Sequence, residues 1–260
     1  MERPLCVPQY RRRGLPLFAG CWFMHDTLSE VRGKFSRERG RARAFFTRTA
    51  FLFPLIERRL LSDYRKGLDF INLPLEFSVL DIATGTGLLA GLFSERGHVD
   101  VSGIDFCAPM VKRASARHPS VSFRLFDLVD LDTVESASFD VVSMAFFLHG
   151  ASRDFRRFVL CHSARICREA VVVIDYFRRG NLFVELIEWI EGPHYREFVK
   201  RSGKREFMAA GLSIEKKKAL SGLSGIWLCR PDREGPLKQP VKPQGTGRDF
   251  LAGGKTDEQG

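Results

Sequence analysis

Three aspartates and one histidine stand where apolar runs of this sequence end: Asp81, Asp105, Asp127 and His149. A carboxylate at the end of a buried strand can hold a hydroxylated or cationic ligand, and a histidine can move a proton near neutral pH. Between the first two acids lies Thr84-Gly85-Thr86-Gly87. Two glycines in four residues permit positive φ and let a ligand approach the backbone closely. Leu88-Leu89-Ala90 then opens a helix, whose free N–H groups and positive dipole end would face that ligand. Ahead of the turn, Val79, Leu80 and Ile82 form the short apolar run of a buried parallel strand. Strand, turn and helix together describe a site for a nucleotide-like ligand.

Two cofactor classes satisfy such a turn. Gly85-Thr-Gly87-Leu-Leu-Ala90 fits the dinucleotide pattern G-x-G-x-x-G/A, and Asp105 stands where a ribose-binding acid is expected. Asp81, inside the first strand, points elsewhere. Val79 to Gly87 resembles the first motif of class I S-adenosylmethionine-dependent methyltransferases, roughly hh-D-h-G-x-G-x-G, and departs from it at Ala83, where the motif has its first glycine.

This resemblance spans about residues 75–230 and implies an α/β fold, a doubly wound seven-stranded Rossmann-like sheet with an N-terminal helical extension. It also implies S-adenosylmethionine as cofactor. Asp81, Ala83, Thr84, Gly85, Thr86 and Gly87 would form the cofactor loop, the glycines admitting the amino-acid and ribose part. Asp105 would accept hydrogen bonds from both ribose hydroxyls. Phe106 and Met110 would pack on adenine, Asp127 would accept its amino group with Leu128 alongside, and Ala145 would line the methionine end. Methyl transfer needs a general base only when the acceptor must lose a proton; His149 is the candidate, with Tyr176, His194 and Tyr195 behind it. Phe-Thr-Arg-Thr-Ala (46–50) is similar to the F-x-R-x-A segment of quinone-type C-methyltransferases. The expected activity is methyl transfer to a small, apolar acceptor such as a quinone, lipid or polyketide-like ring. Two other readings stay open: a non-catalytic S-adenosylmethionine-binding regulatory or partner subunit, and an NAD-dependent Rossmann oxidoreductase. The Asn/Asp-Pro-Pro-Tyr/Phe motif of adenine and glutamine N-methyltransferases does not follow the fourth strand, and no RNA-binding aromatic signature stands out.

Composition sets the frame. A chain of 260 residues with 44% hydrophobic residues and 23 Phe suits one α/β domain with extensions. The net charge of +10 is concentrated at the front, where residues 1–60 carry 13 Arg/Lys against 5 Asp/Glu. A basic arm of this kind solvates a surface or attracts an anionic partner. Arg32 to Arg43 directly precede Phe45–Phe53, so peripheral contact with a membrane is one expectation, and nucleic acid is not expected. Six cysteines without a C-x-x-C pair suggest reduced thiols in a cytoplasm. The histidines show no metal-ligand spacing. Arg11-Arg12-Arg13 before a short apolar stretch and Cys21 imitates an export signal, but that stretch has seven residues and contains Pro16. Met24 is an alternative start.

The elements follow in order. Residues 1–28 read as a basic leader without fixed structure, and 29–74 as a helical cap that Pro54 should break or kink. Strands are expected at 77–82, 99–104, 121–126, 139–144 and 170–175, alternating with helices as in a doubly wound sheet. Helical segments at 181–201 and 203–210 precede two closing strands, 212–220 and 225–229. From Pro231 to 260 the sequence turns to Pro, Gly, Lys and Gln without periodicity, a disordered tail.

Overall fold

A computed structural model describes residues 28–49, 53–178, 194–201, 204–220 and 223–232. Residues 181–193 of the helical segment expected over 181–201, residues 1–27 of the leader and almost all of the tail lie outside the described residues.

Two helices lead the chain, α1 (Leu28–Thr49) and α2 (Phe53–Ile71). The cap is two helices, and Pro54 stands in the first turn of the second, where a missing N–H costs nothing. The core then alternates: β1 (Val79–Ile82), α3 (Leu88–Glu95), β2 (Val101–Asp105), α4 (Ala108–Arg117), β3 (Ser122–Leu125), β4 (Phe139–Ala145), α5 (Arg153–Ile166) and β5 (Cys167–Tyr176). Two short helices, α6 (Tyr195–Arg201) and α7 (Lys204–Ala209), lead to β6 (Leu212–Ala219) and β7 (Ser224–Pro231). β7 therefore extends to Pro231, past the expected edge of the tail, and β5 begins at Cys167 because α5 runs straight into it.

The strands form one seven-stranded sheet in the order β3-β2-β1-β4-β5-β7-β6. The first five are parallel, and β7 pairs antiparallel with β5 and β6. β1, β2 and β5 are buried on both faces over most of their length, which is why they read as nearly continuous apolar runs. The outer strand β6 carries exposed Lys216, Lys217 and Lys218, charges that blunt an open edge.

Separate cores cover the two faces. One gathers Phe155, Phe158 and Val159 of α5 with Trp227, Phe139 and Phe207; the other gathers Leu89 and Phe93 of α3 with Val172 and Leu228. The N-terminal cap belongs to both. α1 contributes Phe35 to the first core, and α2 contributes Tyr64, Leu68 and Ile71 to the second. Among the described residues no helix is long and apolar enough to cross a membrane.

Candidate cofactor and acceptor site

The sheet order reverses between β1 and β4, and open α/β sheets bind ligands outside the carboxyl ends of strands at such a point. Register places Asp81 of β1 opposite Gly103 of β2 and Ser143 of β4. Its buried carboxylate accepts hydrogen bonds from Thr84 Oγ1 at 2.6 Å and Ser143 Oγ at 2.7 Å, fixing the start of the turn to two strands. Burial pushes the Asp81 carboxyl up to about 6, against these two hydroxyls and reinforced by the negative charge of Asp105.

Backbone conformation explains the turn's composition. Ala83, Gly85 and Gly87 all have positive φ, at 53°, 56° and 78°. Ala83 thus adopts at some cost the conformation that the family motif assigns to glycine. A Cβ on Gly87 would lie 2.6 Å from the Phe123 ring, so close packing also requires glycine there. A Cβ on Gly85 would meet nothing within 4 Å, so room for a ligand lies over this turn.

Asp105 ends β2 and faces the same turn. Its Oδ2 accepts from Gly85 N at 2.9 Å and its Oδ1 from Cys107 N at 2.8 Å, leaving each oxygen a further lone pair. Burial raises its carboxyl, and the backbone donors oppose that shift. Phe106 is half-buried and Met110 fully buried beside it on the start of α4. Asp127 follows β3 and caps a short 3-10 turn (Leu128–Thr133) by accepting from Val129 N. Leu128 packs into the α5-side core.

The helical cap expected ahead of the first strand reaches this end. α1 lies across it, with Arg39 Nε 3.1 Å from Asp127 Oδ2, Arg43 over the Phe106 ring at 5.7 Å, and Thr47 Oγ1 3.8 Å from Cys107 Sγ. The Arg39 Nε is buried and lacks hydrogen-bond geometry to any partner, although the ion pair is close. Arg32 pairs with Asp130 at 2.7 Å, and Lys34 with Asp154 at 3.1 Å. Part of the basic arm is thus spent within the molecule. Phe45, Phe46, Phe51 and Leu52, the expected entry for an apolar acceptor, lie outside what is described of the side chains. α2 adds Glu57, buried between Thr86 Oγ1 and Arg117, both of which donate to it.

One strand away, Ala145 ends β4, half-buried, and Phe146 takes φ 50°, a strained conformation for a bulky residue. Phe146 N donates to Ile174 O at 2.8 Å. A second 3-10 turn (Leu148–Gly150) then presents His149, whose Nδ1 lies 2.8 Å from Oδ1 of Asp175 at the end of β5. Asp175 is fully buried and also accepts from the backbone N–H of Leu148, His149 and Tyr176. Four rings surround this pair. Tyr176 and Tyr195 stand edge-on to His149 at centroid distances of 4.8 and 6.4 Å, Phe146 at 6.1 Å, and Tyr64 stacks on Phe146 at 6.2 Å. The structure therefore brings together Asp81, Ala83, Thr84, Gly85, Thr86, Gly87 and Asp105 at one turn, and His149 with Tyr176 and Tyr195 one strand over. His194 precedes α6 but is no part of the ring cluster. His98, His118 and His162 are all held neutral by burial, His162 down to about 3. No group of metal-ligating side chains occurs among the described residues. Cys107, Cys167 and Cys229 are free and buried.

Asp105 suits the ribose of either cofactor class, and Glu57 is paired with Arg117; Asp81, buried inside β1, is the acid that disfavours a pyrophosphate and suits the ammonium of S-adenosylmethionine. The residues present fit that cofactor.

Fold and site resemble those of class I S-adenosylmethionine-dependent methyltransferases. Residues 79–170 match the family model described as a methyltransferase domain. Solved structures agree in fold. A chain from a Haloferax volcanii complex between a methyltransferase and a methyltransferase activator superposes with a TM-score of 0.61 at 19% identity, covering 75% of this chain and 99% of its own. A SAM-dependent methyltransferase from Aquifex aeolicus gives 0.54 at 19% identity, over 66% and 91%. Magnesium protoporphyrin IX methyltransferase from Synechocystis PCC 6803, solved with S-adenosylhomocysteine, gives 0.52 at 18% identity, over 79% and 100%. No curated protein sequence matches the chain.

Proposed function

We propose that this protein transfers the methyl group of S-adenosylmethionine to a small, apolar acceptor in the cytoplasm. The observation that carries the reading is the acidic glycine turn standing one strand from a cluster of rings around His149. Asp81 would meet the cofactor's ammonium, Asp105 its ribose hydroxyls, and Phe106 and Met110 its adenine. Asp127 would accept the adenine amino group, which sets that donor in competition with Arg39. Bound S-adenosylmethionine supplies a methyl group activated by sulfonium. The chain's own contribution is alignment, exclusion of water and, at His149, acceptance of a proton. Phe146, Tyr176, Tyr64 and Tyr195 support an apolar acceptor.

Calorimetry with S-adenosylhomocysteine and with NAD tests the cofactor. Incubation of labelled S-adenosylmethionine with a metabolite extract tests the acceptor. Binding of NAD alone would overturn the first part, and label arriving in protein or RNA the second.

A further inference from the structure

We propose that the end of the domain opposite the glycine turn carries a second binding site, a cavity that takes a small, neutral apolar molecule with one hydroxyl, of the size of phenol. Two helices stop short there. α2 ends at Ile71, and Asn72 takes φ 46° with its N–H on Leu68 O, turning the chain away. α3 ends at Glu95, and Gly97 takes φ 98° on the way to β2. Between them, beside the amino ends of β1 and β2, lies a cavity of about 160 Å³. The glycine turn lies at the carboxyl end of β1, and the eight residues of α3, about 12 Å of helix, separate the two. The site therefore stands apart from the proposed reaction and does not rest on it.

Size and lining set the body of the ligand. Leu68, Ile71 and Phe93 are buried walls, and Leu75, 50% exposed, stands at the mouth. An apolar cavity of roughly 150 Å³ with walls of this kind stays dry and holds benzene. The exposed half of Leu75 is apolar surface that such a ligand would take out of water.

Two side chains set its polar group. His98 lines the same cavity and is only 6% exposed. Its ring stands edge-on to Phe93 at 5.2 Å, and its Nδ1 lies 3.3 Å from Phe77 O, an oxygen that only accepts. Burial keeps the imidazole neutral and the nearby Arg96 charge assists, against the pull of the Phe77 carbonyl. Its single proton is therefore on Nδ1, and Nε2 is an acceptor. Among the described residues no group donates to Nε2, and it is not sealed from solvent. An acceptor set in an apolar wall selects a ligand that can donate. Arg96 also lines the cavity. Its Nη2 donates to Asp69 Oδ1 at 2.6 Å and Arg65 O at 3.0 Å, which leaves Nε and Nη1 as donors. Asp69 balances the guanidinium charge, so the site does not call for an anion. A hydroxyl is the small neutral group that both donates to His98 and accepts from Arg96.

The test titrates phenol, benzene and benzoate into the full chain, with and without saturating S-adenosylhomocysteine, and follows backbone amide shifts by NMR. In both conditions phenol should move the amides of Leu68, Phe93 and His98 and leave those of Gly85 and Asp105 in place. It should bind about three- to tenfold more tightly than benzene, the worth of one hydrogen bond, and benzoate should move nothing. His98→Phe should reduce phenol to the affinity of benzene. Leu75→Ala, at an exposed position where folding is not at stake, should weaken both. Benzoate binding as tightly as phenol, or a preference for phenol over benzene that survives in folded His98→Phe, overturns the hydroxyl assignment. Phenol shifts at Gly85 and Asp105 instead, or no shift at Leu68, Phe93 and His98, overturn the site itself.

Discussion

Glu57 of α2 and Thr86 of the glycine turn are joined side chain to side chain, and Arg117 of α4 closes on the same carboxylate. The helical cap therefore holds the glycine turn directly. Glu57→Ala would leave Thr86 and Arg117 without this acceptor. A hydrogen bond to a charged group contributes about 1.5–3 kcal/mol to stability, so the variant should melt earlier and bind S-adenosylhomocysteine more weakly as the turn loosens. Calorimetry on the variant, with circular dichroism to confirm folding, reads this. An unchanged dissociation constant would reduce the contact to simple packing.

Asp105 presents the second test. A carboxylate bound to both ribose hydroxyls predicts that Asp105→Ala weakens cofactor binding roughly 10- to 150-fold, from about 1.5–3 kcal/mol. Because Asp105 also accepts from Gly85 N and Cys107 N, Asp105→Asn is the needed companion. It keeps one acceptor oxygen and should lose less. Wild-type affinity in both folded variants would take Asp105 out of the site.

A third prediction concerns pH. Burial raises the Asp81 carboxyl from 3.8 to about 6. The native protein thus holds this proton where the unfolded chain has released it, and stability falls as pH rises from about 4 to about 6. The two pKa values put the contribution on the order of 3 kcal/mol. Its full size is present above the native pKa. Asp81→Asn should flatten that part of the curve in the empty protein, measured by denaturant melts across the range. The cofactor's ammonium favours the charged form, so S-adenosylhomocysteine binding should weaken progressively below about pH 6 in wild type. A flat binding profile between pH 5 and 7 would place the ammonium elsewhere.

Much of this arrangement was legible in the sequence, and the exceptions share a cause. The parallel core follows from apolar runs ending in acids, because period and length are local properties. Gly85, Gly87, Asp105 and His149 could be located from turn chemistry and strand ends alone. Their partners could not. Asp175 closes strand five in plain view, yet nothing local says that it meets His149, since that contact depends on β4 pairing with β5. Arg156 with Glu206, and Glu57 with Thr86, are likewise long-range pairings without a periodic trace. The arginines of α1 read as a free cationic arm because their acids, Asp127 and Asp130, come near only after folding.

Ala83 provides a fourth test, one of stability. Its φ of 53° costs an alanine about 1–2 kcal/mol, while glycine loses roughly 0.5–1 kcal/mol of chain entropy on folding. Ala83→Gly should therefore stabilise the protein by about 0.5–1 kcal/mol, the difference between these terms. A rise in Tm at constant cofactor affinity is the expected readout. A fall would show that the methyl group packs usefully at the end of β1.

The basic arm supplies the last prediction. Phe35 is 3% exposed, with ring centroids 4.8 Å from Phe155 and 6.1 Å from Phe158, so α1 is docked on the α5 side of the domain. Truncating a buried phenylalanine costs about 3–5 kcal/mol. Phe35→Ala should lower Tm and, by loosening the helix that spans Asp127 and Phe106, weaken S-adenosylhomocysteine binding as well. Exposed pairs such as Arg32–Asp130 contribute little by themselves because solvent screens them, so Arg32→Ala should leave Tm nearly unchanged. The same variants bear on membrane contact. If α1 serves the cofactor site, flotation with anionic vesicles at low salt should be weak in wild type and should rise in Phe35→Ala, which frees Arg32, Lys34 and Arg39 from their acids. Strong, salt-sensitive flotation of the wild type would instead give the arm to the membrane.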